Sequence, residues 1–191
     1  MPGPDQAPEP QYASYPSLVD RSVFVTGGAD GIGRAIVEQF THQGARVGFA
    51  DINTAKGDGL VEALVATNPR HDPRFYAVDL TDIEALRTAL EQAMTDLDGI
   101  TVLVNNAAND DRHGWEDMTP EYWDDRLNTN LRHYFFAIQA VAPGMIAAQN
   151  GSIVNIGSSS YMMQEDFFPG YAIAKSGVEG ITRTLARTFG P

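Results

Sequence analysis

From Ser22 to the end of the chain, short apolar runs alternate with longer amphipathic ones, and this alternation constrains the fold more than any other feature. Ser22–Thr26 (SVFVT), Arg46–Ala50, Phe75–Val78, Thr101–Asn105 and Ser152–Ile156 each read as a short strand. Between them, helical periodicity runs from a glycine turn to about Gln43, then over Thr54–Asn68, Asp82–Leu97 and Glu121–Gln149. A last helix is predicted over Tyr171–Phe189, with Val178, Ile181, Leu185 and Phe189 on one face. Strands apolar at consecutive positions are buried on both sides, which requires helices above and below a parallel sheet. With right-handed crossovers, the expected class is α/β, a doubly wound, Rossmann-like parallel sheet.

The chain has 191 residues, a length for one domain. Its 25 acidic residues against 13 basic ones, net charge −12, argue against partners that present phosphate, so neither nucleic acid nor membrane is expected. There is no cysteine, and no apolar run approaches the ~20 residues of a span. The expected location is cytoplasmic. Residues 1–17, rich in proline and without an apolar block, read as a disordered N-terminal arm with Tyr12 and Tyr15 as its points of contact with the body, leaving 18–191 as the domain.

Thr26-Gly27-Gly28-Ala29-Asp30-Gly31-Ile32-Gly33 joins the first strand to the first helix. In that setting Gly27 permits a sharp turn, Gly31 lets a pyrophosphate approach the backbone, and Gly33 lets helix and strand pack closely. The helix N-terminus, beginning near Ile32, supplies free N–H groups for the phosphates. A purely structural turn is the alternative. Asp51, closing the second strand, suits the hydroxyls of an adenosine ribose and repels a 2′-phosphate, and Asp30 adds negative charge where an NADP site would want a base. The cofactor expected is NAD. Asp79 and Leu80, after the third strand, are placed near the adenine. No metal is expected, since His113 has no second ligand at a useful spacing.

Tyr171 and Lys175 stand four residues apart, on one face of the last helix. The chain has only two lysines, Lys56 and Lys175. Oxidising an alcohol by hydride transfer needs a base for the hydroxyl proton, and a neighbouring ammonium stabilises the phenolate that would serve. Ser158, past the fifth strand, suits the substrate oxygen, although Gly-Ser-Ser-Ser is also ordinary turn chemistry.

These residues, with Asn105-Asn106-Ala107 and Asn130, stand in the order and spacing of the short-chain dehydrogenase/reductases, which the chain resembles from Leu18 to its end. The resemblance implies that Asn106 and Ala107 border the cofactor beside the central sheet, and that Asn130 holds a water linking Lys175 to solvent. It also implies pairing of the last two long helices in homodimers or homotetramers; Tyr134, Phe135, Phe136, Ile138 and Val141 are apolar residues that either serve this pairing or belong to the core. Asn109-Asp-Asp-Arg-His113, Asn130-Leu-Arg-His and Glu179-Gly-Ile-Thr-Arg183 resemble bacterial NAD-dependent D-xylose 1-dehydrogenases, which oxidise C1 of an aldose to a lactone. That likeness implies Asn109, Asp110, Arg112 and Gln164, with Ser158 and Tyr171, as sugar contacts. A solvated surface loop is the alternative for the first four. A steroid or 3-oxoacyl substrate, or a non-catalytic NAD-binding role, remains open. Two departures stand out: Ala108 replaces the glycine usual after Asn-Asn-Ala, and the family continues with further strands past the point where this chain stops. A C-terminally truncated sheet is therefore expected.

Overall fold

The computed structural model describes residues 13–190. Five strands, β1 (Ser22–Thr26), β2 (Arg46–Asp51), β3 (Arg74–Ala77), β4 (Val102–Asn105) and β5 (Ser152–Asn155), form one parallel sheet in the order β3-β2-β1-β4-β5. Six helices connect or follow them: α1 (Gly31–His42), α2 (Thr54–Val65), α3 (Ile83–Asp96), α4 (Pro120–Leu127), α5 (His133–Ala147) and α6 (Pro169–Phe189). This is the doubly wound α/β arrangement expected from the alternation.

The period of two along each strand sends side chains to opposite faces. Val23, Val25, Val47, Phe49, Val102 and Val104 pack with Val37, Leu60 and Leu64 on one face. Phe24, Ala50 and Leu103 pack with Leu86, Leu90, Ile138, Val141 and Met145 on the other. Side chains of Asp30, Asn53, Asp82 and Thr119 accept first-turn N–H groups of α1, α2, α3 and α4, each cap stabilising its helix by about 1 kcal/mol.

Two expectations need correction and one open alternative is decided. The helix predicted as continuous over 121–149 is divided by a π-helical turn, Asn128–Arg132. The buried Asn130 Nδ2 donates to the carbonyl of Arg126 at 3.0 Å, the acceptor that its own backbone N–H would use in an α-helix. Tyr134, Ile138 and Val141, open to either subunit pairing or the core, are core residues at 0–2% exposure, whereas Phe135 is 40% exposed. Part of the N-terminal arm is docked: Tyr15 N–H donates to Gln43 Oε1 at 2.8 Å, Gln43 Nε2 donates to the Ala13 carbonyl at 2.8 Å, and Pro16–Leu18 form a 3-10 turn. The disorder expected for 1–12 and the contact expected of Tyr12 lie outside the described residues.

β5 forms one edge of the sheet, with Val154 43% exposed. A groove of about 610 Å³ runs beside it between α5 and α6, lined by Ile138, Met145, Ile153, Leu185 and Phe189 among others.

The closest backbone approach is at the start of α1. A Cβ on Gly33 would sit 1.8 Å from the Gly27 carbonyl oxygen and 2.6 Å from Asn106 Nδ2. Backbone must move to admit it, at a cost of about 1–3 kcal/mol for overpacking. Gly33→Ala is therefore expected to lower the thermal midpoint, and to weaken dinucleotide binding by displacing both the turn and Asn106; calorimetry and fluorescence titration check the two effects.

Candidate active site

The order of strands reverses between β1 and β4, so the loops at their carboxyl ends diverge and leave a crevice. Asn106 spans it. Its Nδ2 donates to the carbonyls of Thr26 at 3.1 Å and Gly27 at 3.0 Å, while Thr26 Oγ1 accepts the N–H groups of Asn106 and Ala107 at 3.0 and 3.2 Å. One side of the crevice is the glycine turn. Gly31 has φ +53°, and a Cβ there would meet nothing within 4 Å, so the backbone is open to a ligand. Asp30 caps Gly31 N–H at 2.9 Å, and Ile32 beside it is 68% exposed. Asp51 is fixed at the end of β2: Oδ2 accepts Ala29 N–H at 3.0 Å and Oδ1 accepts Asn53 N–H at 2.9 Å. These features fit a dinucleotide, with phosphates at the α1 N-terminus and ribose beside Asp51.

The charge attributed to Asp30 requires correction. Lys56, from the first turn of α2, pairs with Asp30 and offsets its charge, and this contact lowers the carboxyl's pKa below the usual range. Asp79 is exposed and accepts the N–H and hydroxyl of Thr81, whereas Leu80 packs against the core.

The other side of the crevice is built by α5 and α6. Lys175 is 1% exposed, and its Nζ donates to the Ile156 carbonyl at 2.7 Å and to Tyr134 Oη at 2.9 Å. The same nitrogen lies 5.6 Å from the centre of the Tyr171 ring. Burial lowers the Lys175 ammonium's pKa to about 8. Tyr171 is half-buried, its ring edge-on to Phe168 at 5.2 Å, and its hydroxyl has no hydrogen bond to a described residue. Ser158 Oγ donates to Ser160 Oγ at 3.0 Å and accepts Ser160 N–H at 3.1 Å, so its turn chemistry is in use. A cavity of about 360 Å³ reaches Lys175 between Ser158, Tyr161 and Glu179.

The segment after β4 is held from both ends. Asn130 Oδ1 accepts Asn109 N–H at 2.7 Å, and Asn109 Oδ1 accepts from Arg126 at 3.1 Å and from Asp111 N–H at 2.8 Å. Both ends of the Asn130 carboxamide are thus occupied by protein. Arg126 is 6% exposed and also bonds Asp125. Arg112 pairs with Asp110 at 3.2 Å and lies over the rings of Phe167 and Phe168, at 4.8 and 4.3 Å. His113 N–H donates to the Phe167 carbonyl at 3.0 Å, and His113 Nε2 accepts Gly170 N–H at 3.2 Å. Arg112 and His113 therefore join this loop to the segment before α6. Gln164 is exposed, with φ +59°. Sequence reasoning left out Tyr134, Arg126 and the Lys56 pairing. For Arg126, the signal was a basic residue one turn before Asn130; for Tyr134, a tyrosine among apolar helix positions. Among the described residues, no group of three His, Asp or Glu is arranged to hold a metal.

A model of the short chain dehydrogenases matches residues 21–191. The chain belongs to the short-chain dehydrogenase family. This dehydrogenase is similar to a probable galactose dehydrogenase from Rhizobium meliloti, with 46% identity over 94% of the chain and 70% of the relative. It is similar to a D-xylose 1-dehydrogenase from Caulobacter vibrioides, with 44% identity over the same shares. A crystal structure of a 3-oxoacyl-[acyl-carrier protein] reductase with bound NAD from Brucella melitensis superposes at TM-score 0.84 and 32% identity, covering 96% of this chain and 73% of that one.

His133 borders this site and carries a titration of its own. It is fully buried beside the Tyr134 ring, at 4.7 Å between centres, with Nε2 3.0 Å from the Thr129 carbonyl and Nδ1 without a hydrogen-bond partner among the described residues. Burial pushes its pKa down from 6.5 to about 4. Between those values the unfolded chain holds a proton that the folded protein does not, so stability falls as pH drops through 6.5 toward 4. The loss reaches on the order of 3 kcal/mol at the acid end. His133→Gln is expected to flatten the pH dependence of the thermal midpoint between pH 6.5 and 4; an unchanged slope would assign the acid loss elsewhere.

Proposed function

We propose that this family member oxidises the C1 hydroxyl of an aldose resembling D-xylose to the lactone, with NAD as the hydride acceptor. The observation that carries the reading is the buried Lys175 ammonium, fixed beside the Tyr171 ring on the same helix, α6, whose first turn is tied to a polar loop through His113. The similarity to galactose and xylose dehydrogenases supports a sugar as substrate.

The glycine turn and the α1 N-terminus hold the phosphates, and Asp51 holds the adenosine ribose. NAD bound there would supply the hydride acceptor that oxidation at C1 of the sugar requires. Tyr171 takes the hydroxyl proton, so the alcohol loses a hydride and a proton and becomes a carbonyl. Lys175 supplies the positive charge that faces the phenol as it becomes available as a base. Ser158 holds the reacting oxygen after turning away from Ser160. Asn130 acts through Asn109, fixing the backbone of the substrate loop, and Asn109, Asp110, Arg112 and Gln164 provide partners for the remaining hydroxyls. The acceptors around a polyol must be paired, which favours a polar rim. Exposed Trp115, Met162, Met163 and Phe167 support a second reading, in which the substrate is a 3-oxoacyl thioester or another apolar ketone.

A panel of aldoses and 3-oxoacyl thioesters, followed by NADH absorbance, separates these readings. Oxidation of D-xylose or D-galactose is expected, and Tyr171→Phe is expected to lower kcat at least ~100-fold, the scale of a lost general base. Turnover of thioesters alone would replace the sugar reading, and an active Tyr171→Phe would remove the base assignment.

The choice of NAD over NADP is expected to depend on Asp30 as well as Asp51, because Asp30 engages Lys56, a cation on the helix that follows Asp51. Asp30→Asn releases Lys56, and the ratio of kcat/KM for NAD over NADP is expected to fall several-fold. The double variant Asp30→Asn with Lys56→Met is expected to restore the preference.

A further inference from the structure

We propose that Tyr134 is a positioning residue for the Tyr171–Lys175 pair: its buried hydroxyl fixes the Lys175 ammonium and keeps it charged beside the phenol. The inference rests on the reading of Tyr171 as the base, and it adds a second phenol with a different task.

An ammonium has three donors and no acceptor, so each proton buried without a partner costs free energy. Lys175 has two partners, the Ile156 carbonyl at 2.7 Å and Tyr134 Oη at 2.9 Å. Tyr134 Oη in turn donates to the same Ile156 carbonyl at 3.3 Å, which turns an oxygen lone pair toward Nζ. The three atoms form a closed triangle beside the fifth strand. The backbone of Tyr134 is held as well, since Asn105 Nδ2 donates to its carbonyl at 3.4 Å.

The chemical type of this partner matters. A carboxylate at the same place would neutralise the ammonium and cancel its pull on the Tyr171 proton. A neutral phenol accepts a hydrogen bond and leaves the charge intact. Burial, and then the nearby Tyr171, push the Tyr134 hydroxyl well above its ordinary pKa, so it does not compete as a base. The other ionisable groups near Lys175 are accounted for. Glu179, one turn along α6 on the shared cavity, is bonded to Tyr161 and to Arg183. His133, from α5, is held neutral by burial. No carboxylate among the described residues pairs with Lys175. The third ammonium proton has no hydrogen-bond partner among the described residues, and Nζ lies 5.6 Å from the centre of the Tyr171 ring.

Tyr134→Phe keeps the ring and removes the oxygen. With two lysines in the chain, lysine labelled with 13C at Cε yields two signals, and Lys56→Arg assigns them. The Lys175 titration midpoint is expected near pH 8 in the unaltered protein and lower in Tyr134→Phe, because one acceptor is gone and the burial stays. With sugar and NAD, kcat is expected to fall on the order of tenfold, the scale of one hydrogen bond to a charged group, with both KM values within about threefold. The alkaline limb of the pH–kcat profile should move down with the lysine midpoint. An unmoved Lys175 midpoint, or an unchanged profile, would overturn the proposal. If Tyr134→Phe does not fold, the unaltered protein still decides it: a slowly exchanging Tyr134 hydroxyl proton with a nuclear Overhauser contact to the Lys175 Cε protons supports the contact, and its absence refutes it. Retained activity in Tyr171→Phe would instead strike the base assignment, a result separate from the lysine titration.

Discussion

The buried ammonium of Lys175 is the constraint around which the rest of the site is organised. A charge at 1% exposure persists only where donors find acceptors, and the two acceptors here come from elements other than the lysine's own. The Ile156 carbonyl follows β5, the Tyr134 hydroxyl comes from α5, and the lysine itself sits on α6. Satisfying one cation therefore fixes the distance between two helices and a strand end. Tyr171, one turn before Lys175, is placed by the same contacts. The polar group that costs most to bury is the one that sets the geometry.

A second tier of polar contacts carries this order outward. Asn106 closes the crevice between β1 and β4 through Thr26 and Gly27, and Asn130 reaches from the π turn to the backbone of Asn109. From there Arg126, Arg112 and His113 connect the loop after β4 to the segment before α6. Few of these contacts are apolar. The two hydrophobic faces hold the sheet together, whereas loops over the crevice are held by amides, guanidinium groups and one imidazole. That division suits a site that must meet a polar ligand without collapsing, because directional bonds define a shape that dispersion alone does not.

The strands and most helices were legible in the sequence because periodicity reports burial, and burial on both faces leaves few architectures. The glycine turn was legible because Gly33 has no room for a Cβ and Gly31 takes a left-handed φ. What the pattern hid were contacts between distant side chains. Lys56 is far from Asp30 in sequence, so the turn read as more negative than its pairing leaves it. Tyr134 read as an apolar residue for subunit contact or core because its ring is apolar, while its hydroxyl is what the site uses. Arg112 lies over two phenylalanine rings more than fifty positions along the chain, a contact that periodicity does not report. The break at 128–132 was invisible because a π turn keeps helical composition and differs from an α turn only in which carbonyl each amide meets.

That break has a consequence for how tolerant the chain is of changes in length. A π turn accommodates one residue more than the α-helical pitch allows, and each residue of a helix advances about 100° around the axis. Deleting a single amino acid within 128–132 would let an unbroken α-helix form, at little local cost. The wider turn already absorbs the angle of the extra residue, so the flanks would keep their orientation, and what would be lost is local: a backbone amide would claim the Arg126 carbonyl that Asn130 Nδ2 now holds. Residue count in this stretch thus decides whether the Arg126 carbonyl meets a backbone amide or the carboxamide of Asn130, the side chain that also holds Asn109.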